Sequence, residues 1–289
     1  MRLLRIILLS LFLVSATFAE PKPVKYGKPV QVGTLKNTEI RESSGLACSN
    51  TTEKVFWTHN DSGDTSRIFA FNEKGEELAQ ITIAGVTFRD CEDMCSFKFR
   101  NKPFLLIADT GDNKRVRTDY TLYIIPEPKL DPKKRGLKGK IPPAVTIKYM
   151  YPDGPHDCEG VGVDPVSKTI LMVTKRGNAR HVYELAMPDR SPRVLLKPKQ
   201  IGTLKLPSTT AMDVSPDGKR AIVLVYGPAC IYTRGENETW KQAFARKPRT
   251  INMPPRRQGE SICYGPDGKS IYLTSEKTPT PLWKVPAQE

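Results

Sequence analysis

From Lys28 onward the chain alternates short apolar runs with clusters of turn-forming residues. The runs include "KVFWTHNDSG", "RIFAFNEKG", "FLLIADTGD", "LYIIPEP", "TILMVTKRGN", "HVYELAM", "RAIVLVYGP" and "SIYLTSEK". Each is rich in β-branched and aromatic residues and is bounded by Gly, Pro, Asp or Asn, the composition of a strand between tight turns. No segment sustains a helical period with caps. The pattern predicts an all-β fold.

The strands recur in a fixed layout. "RESSGLACS" from Arg41, "RDCEDMCSF" from Arg89, "HDCEGVGVDP" from His156, "STTAMDVSP" from Ser208 and "QGESICYGP" from Gln258 align on one small or acidic position, with an apolar residue two places on and then a turn. That position holds Ser44, Glu92, Glu159, Thr210 and Glu260, at steps of 48, 67, 51 and 50 residues. The longer second step contains a basic, Pro-rich insertion around Pro132 to Pro143. After each motif comes a second apolar strand with a polar end, then a third and usually a fourth. Repeated four-stranded units are the blades of a β-propeller, whose faces are buried only by neighbouring blades. Five motifs predict five blades, with six as the alternative. The fifth unit ends one strand short, and "KPVQVGTLK" (Lys28 to Lys36) can complete it and close the ring.

A propeller places the first strand of every blade against the central channel. Ser44, Glu92, Glu159, Thr210 and Glu260 are therefore expected to ring its mouth. Crowded carboxylates repel one another and hold on to protons unless a cation joins them. An oxygen-only, partly anionic ring suits Ca²⁺ better than Zn²⁺. Small or acidic residues that only satisfy backbone donors at strand starts are the simpler explanation, but three Glu at one repeat position weigh against it. A second ring, Glu42, Asp90, Asp157, Ser208 and Gln258, lies two residues earlier and either orients the first or faces solvent.

Composition narrows the setting. "MRLLRIILLSLFLVSATFAE" has a basic start, an apolar run and a small-residue cleavage pattern, so residues 1–19 are expected to be a signal peptide and residues 20–289 a single exported propeller domain. The apolar core is short for a membrane anchor, and no later stretch is apolar enough to span a bilayer. The formal charge of +14 sits largely in Lys129 to Lys140 and Phe244 to Arg257. It favours anionic partners, but neither run carries a nucleic-acid module, and solvated basic loops are the simpler expectation for both. Six cysteines permit disulfides in an exported chain and serve equally well as small buried hydrophobes. Cys91, Cys95, His156 and Cys158 can be drawn as a zinc site, but Cys91 with Cys158, and Cys95 with Cys263, occupy equivalent repeat positions, which accounts for them without a metal.

The motifs "SGLA", "D-C-E-D-M", "EGVGV", the Ser/Thr motif at Ser208 to Thr210 and the final "QGESI" resemble, in this order, those of the SdiA-regulated family of exported propellers and of the phytase-like esterases. The resemblance spans nearly all of the expected mature chain and implies the propeller architecture. The order Ser, Glu, Glu, Thr, Glu is also similar to the axial calcium ring of the calcium-activated nucleotidases (apyrases), a five-bladed family with Ser in the fourth place. That resemblance implies that Ser44, Glu92, Glu159, Thr210 and Glu260 are calcium ligands. The Arg-rich nucleotide pocket of that family has no counterpart here.

The second-strand ends should frame a funnel above the ring. Lys175, Arg176, Tyr226, Glu276 and Lys277 are candidate ligand-binding residues, and Lys175 and Arg176 suit a phosphate. His59, Asp61 and Asp109 are candidate catalytic groups, with Asp61 or Asp109 as a general base. "NDSGD" and "DTGDN" are equally what tight turns require. Two functions follow: a calcium-binding propeller whose funnel holds an anionic or phosphorylated small molecule, a glycan or a protein, or a calcium-dependent phosphoric-ester hydrolase.

Overall fold

A computed structural model describes residues 22–177 and 179–288. Its strands form five sheets arranged as a five-bladed propeller, with one short helix and an additional two-stranded pair, Lys25–Tyr26 with Ala287–Gln288. The leader expected over residues 1–19 lies outside the described residues. Among these, no helix is long and apolar enough to cross a membrane.

The inner strands are Ser43–Cys48, Cys91–Phe99, Cys158–Asp164, Thr209–Val214 and Ser261–Tyr264 for blades 1 to 5. Each packs against the next, and the fifth packs against the first. Five apolar clusters fill the five gaps between blades. Trp57 and Met94 lie between blades 1 and 2, Phe97 and Tyr183 between blades 2 and 3, Val173 and Met212 between blades 3 and 4, Ile222 and Ile262 between blades 4 and 5, and Phe56 and Tyr272 between blades 5 and 1. The core thus lies between the sheets, as expected for units that cannot bury their faces alone. All six cysteines are buried free thiols within these layers.

Closure follows the expected route. Val30–Thr34 pairs antiparallel with Pro281–Val285 and becomes the outer strand of blade 5. Ser43 Oγ meets Thr274 Oγ1 at 2.7 Å, and Lys277 N–H donates to the Arg41 carbonyl, joining blades 1 and 5.

The basic insertion is more ordered than a solvated loop. Leu137–Ile141 adds a fifth strand to blade 1, parallel to Glu77–Ile83, before the chain returns to blade 2 with Val145–Tyr149. "LKGKI" lacks the dense apolar alternation of the other strands, so its strand character was hidden. It pairs at a sheet edge, where Lys and Gly are tolerated because only one side is hydrogen-bonded.

Candidate metal centre and funnel

The key repeat position has a common backbone cause. In blades 1 to 4 the ladder between first and second strands skips one residue: Ser43 pairs with Asn60 and Gly45 with His59, and the same step falls at Glu92, Glu159 and Thr210. Such a bulge sets two residues of one strand against one of its partner and re-aims the extra side chain. Glu260 comes immediately before the inner strand of blade 5. The residue after the bulge must let the next blade approach. A Cβ on Gly45 would stand 2.6 Å from the Met94 nitrogen, and one on Gly160 would stand 2.9 Å from Met212 Cβ. "SG" and "EG" record that proximity.

The second ring is tied to the funnel wall. The backbone carbonyls of Glu42, Asp90, Asp157 and Gln258 accept the N–H groups of Asp61, Gly111, Lys175 and Glu276. First-strand starts and second-strand ends therefore share one face of the propeller.

On that face, one carboxylate oxygen from each of Glu92, Asp157 and Glu159 lies within 4.8 Å of the other two, and Asp61, Asp90 and Glu92 form an adjoining group by the same measure. All three of the first group are buried. Asp157 Oδ1 accepts the Asp112 N–H at 2.9 Å. Asp157 Oδ2 is buried without a hydrogen bond, although Arg176 Nε lies 3.1 Å away. Glu159 Oε1 receives Lys175 Nζ at 2.7 Å, while Oε2 is buried with no partner. Gly111 admits the cluster, since a Cβ there would lie 2.5 Å from the Asp90 carboxyl and closer still to Glu92 Oε1.

Electrostatics follow from this crowding. Burial, and then the negative charges of Glu159 and Asp61, push the Glu92 carboxyl well above the usual range. Glu159 is raised by burial even though Lys175 opposes the shift. Burial and neighbouring carboxylates lift Asp90 to about 6 and Glu276 to about 7. Burial works against the Lys175 ammonium, but Glu159 and Glu260 outweigh it and hold the proton more tightly.

The other residues singled out from sequence occupy distinct settings. Ser44 Oγ donates to the Glu92 carbonyl and Thr210 Oγ1 to the Gly259 carbonyl, so both hydroxyls stitch neighbouring blades together. Glu260 accepts the Tyr226 hydroxyl and lies 3.9 Å from Lys175. Half-exposed Tyr226 and Lys277 line the rim, where Lys277 Nζ lies 3.5 Å from Glu276. Arg176 also reaches the rim and donates to Asn113 Oδ1 at 2.5 Å. His59 is fully buried: its Nδ1 meets the Asn60 carbonyl at 2.8 Å, its Nε2 lies 3.8 Å from Cys91 Sγ, and burial lowers its pKa. Asp109 is buried, accepts the Arg89 and Asp90 N–H groups and pairs with Arg117 at 3.1 Å. Asp61 stays partly exposed beside the cluster, with burial raising its pKa.

Asp93, next to Glu92 in the chain, lies off both rings. Its carboxylate is fully buried and accepts the N–H groups of Met94, Val161 and Met212, from blades 2, 3 and 4. Asp213 does the same for Val214 and Tyr264 in blades 4 and 5. The available signal was an acid in the middle of an inner strand, where the pattern calls for an apolar residue.

No family model matches this chain, and no curated protein matches it. Among solved structures it is similar to a Bacteroides uniformis protein provisionally assigned as a 6-phosphogluconolactonase, at 14% identity and TM-score 0.42 over 89% of this chain and 80% of that one. It is also similar to a chain of a nidogen/laminin complex, at 12% identity and TM-score 0.46 over 82% and 73%. The propeller assignment rests on the chain's own five sheets.

Proposed function

We propose that the funnel is a calcium-dependent binding site. The observation that carries this reading is the convergence of Glu92, Asp157 and Glu159, with Glu159 Oε2 buried and unpartnered and Asp157 Oδ2 held only by the Arg176 ion pair. Buried polar atoms are almost always partnered, so an unpaired oxygen in an acidic cluster fits a cation. The donor set is oxygen-only and anionic, which suits Ca²⁺. Glu92, Glu159 and Asp157 would hold the ion, with Glu260 and the Ser44 and Thr210 oxygens completing the ring expected from the repeats. Bound there, a divalent cation supplies charge neutralisation and a Lewis-acidic contact for an anionic group. Lys175, Arg176, Lys277 and Tyr226 border the same opening and provide cationic and hydroxyl donors for a phosphate, carboxylate or sulfate on a small molecule, glycan or protein. Export of the mature protein belongs to this reading.

The test is elemental analysis of the purified protein combined with melting in chelator and in added Ca²⁺. A ligand that binds only the native state raises the melting temperature. A calcium content near zero with no calcium-dependent shift would remove the proposal.

The hydrolase reading is favoured by one feature, Asp61, a partly exposed carboxylate at the funnel mouth beside the acidic cluster, where a general base would stand. Asp109 is occupied by Arg117 and backbone donors, and His59 is enclosed, so Asp61 is the group on which phosphoric-ester hydrolysis would depend. Release of phosphate from nucleotides or phytate, abolished in Asp61→Asn, supports hydrolysis. No release with Ca²⁺ present leaves the binding role alone.

A further inference from the structure

Two of the three histidines in the chain meet on blade 3, outside the axial cluster. His156 precedes the inner strand, and His181 is in the third strand, Arg180–Ala186, next to its first residue. His156 Nε2 lies 3.1 Å from Asp153 Oδ2, and His181 Nδ1 lies 3.5 Å from the same oxygen. One ligand-capable atom from each of the three residues falls within 4.8 Å of the other two. Ligands bound to one tetrahedral ion at about 2.0–2.1 Å are separated by about 3.3 Å, and the two measured separations bracket that value.

The surroundings hold this arrangement in place. The Tyr183 hydroxyl lies 2.8 and 2.7 Å from the two Asp153 oxygens, 2.9 Å from His156 Nε2 and 3.3 Å from His181 Nδ1. The hydroxyl donates to Asp153, and the two ring nitrogens turn toward the same carboxylate, so donors and acceptors of all four side chains converge on one point. Tyr151 packs edge-on against the His156 ring at 5.0 Å. The His156 backbone N–H donates to the Tyr120 hydroxyl at 3.0 Å, and that hydroxyl donates to Asp112 at 2.9 Å, so the backbone that carries the imidazole is held in place. Asp153 and His181 remain partly exposed, which leaves an entry path.

We propose that Asp153, His156 and His181 form a second metal site, for a divalent transition ion of the zinc class, with Tyr183 donating to Asp153 as its supporting hydrogen bond. Two imidazoles and one carboxylate select such ions over Ca²⁺, which prefers all-oxygen ligands. Three protein ligands leave a position open to water or a ligand. His156 and Asp157 are consecutive, so adjacent side chains serve the outer site and the axial cluster.

The experiment saturates chelator-treated full-length protein with Ca²⁺ and then titrates it with Co²⁺, followed by visible absorption, in wild type and in His156→Ala and His181→Ala. The expected result is one equivalent of Co²⁺ with intense tetrahedral ligand-field bands, lost or weakened at least tenfold in both histidine variants. Absence of those bands in wild type overturns the proposal, as do bands that survive both histidine changes. If His156→Ala does not fold, His181→Ala carries the test, because that side chain is 30% exposed and its removal leaves the core intact.

Discussion

Glu92 and Asp93 are neighbours in the chain, both buried and both pushed well above the usual carboxyl range, first of all by burial. Their partners differ. Asp93 accepts three backbone N–H groups from three blades. Glu92 faces Glu159, Asp157, Asp61 and Asp90, while Lys175 is engaged with Glu159. One bulge separates an acid that holds the propeller together from an acid set among its own kind. Burial of a carboxylate is therefore uninformative about its role until its partners are counted. A saturated carboxylate is structural. A carboxylate crowded by other carboxylates is the kind the proposed cation would join.

The strongest way to break this comparison is to remove the saturated acid. Asp93→Ala leaves three buried N–H groups without acceptors and should cost about 3–5 kcal/mol of stability, read from urea unfolding. A loss under about 1 kcal/mol would show that those amides find other partners.

Asp213 tests the same idea through pH. Burial outweighs its two amide donors and lifts its carboxyl from 3.8 to about 7. The folded protein then keeps a proton that the unfolded chain releases. Stability from this site is fully present below pH ~4 and falls, by up to about 4 kcal/mol, as pH rises to about 7. Urea midpoints measured in chelator should show that fall in wild type and a flatter profile in Asp213→Asn.

Calcium probes the other half of the comparison. At a hundredfold excess over its dissociation constant, a native-state ligand adds about 2.7 kcal/mol. Wild type and Asp213→Asn should both gain melting temperature with Ca²⁺, whereas Glu159→Gln should gain almost none. An equal gain in Glu159→Gln would detach the stabilisation from the cluster.

The smallest effect is the sharpest in sign. In chelator, Glu92→Gln replaces a crowded carboxyl by a neutral amide and should leave stability within about 1 kcal/mol of wild type or raise it. Set beside the Asp93→Ala loss, that result would separate two adjacent acids by mutation alone.

The architecture was legible because repetition amplifies weak signals. A lone "ESSGLA" means little, but five copies at nearly even steps imposed blades, and the missing strand of the fifth pointed to Val30–Thr34. The gathering of Glu92 with Glu159 follows from the same alignment. What the pattern missed depends on contacts between units. Asp157 was one of a second ring of undecided role, yet the bulge lets it share space with Glu159. Asp93 broke the apolar pattern for amides that lie in other blades. Leu137–Ile141 looked like a loop because its partner, Glu77–Ile83, belongs to a different unit. His156 opens the third motif, but Asp153 and His181 sit outside the repeated positions, so no alignment could link the three.

The closing strand has a consequence for how the chain reaches its native state. Val30 pairs with Lys284, so blade 5 cannot form until residues from opposite ends of the sequence have met. During synthesis the early strand must wait, with its edge unsatisfied, while four other sheets assemble. Such distant pairing slows folding and leaves a partly assembled ring exposed to association with other chains. Once made, the clasp works the other way. No blade can peel from a free end, because the first and last strands hold each other.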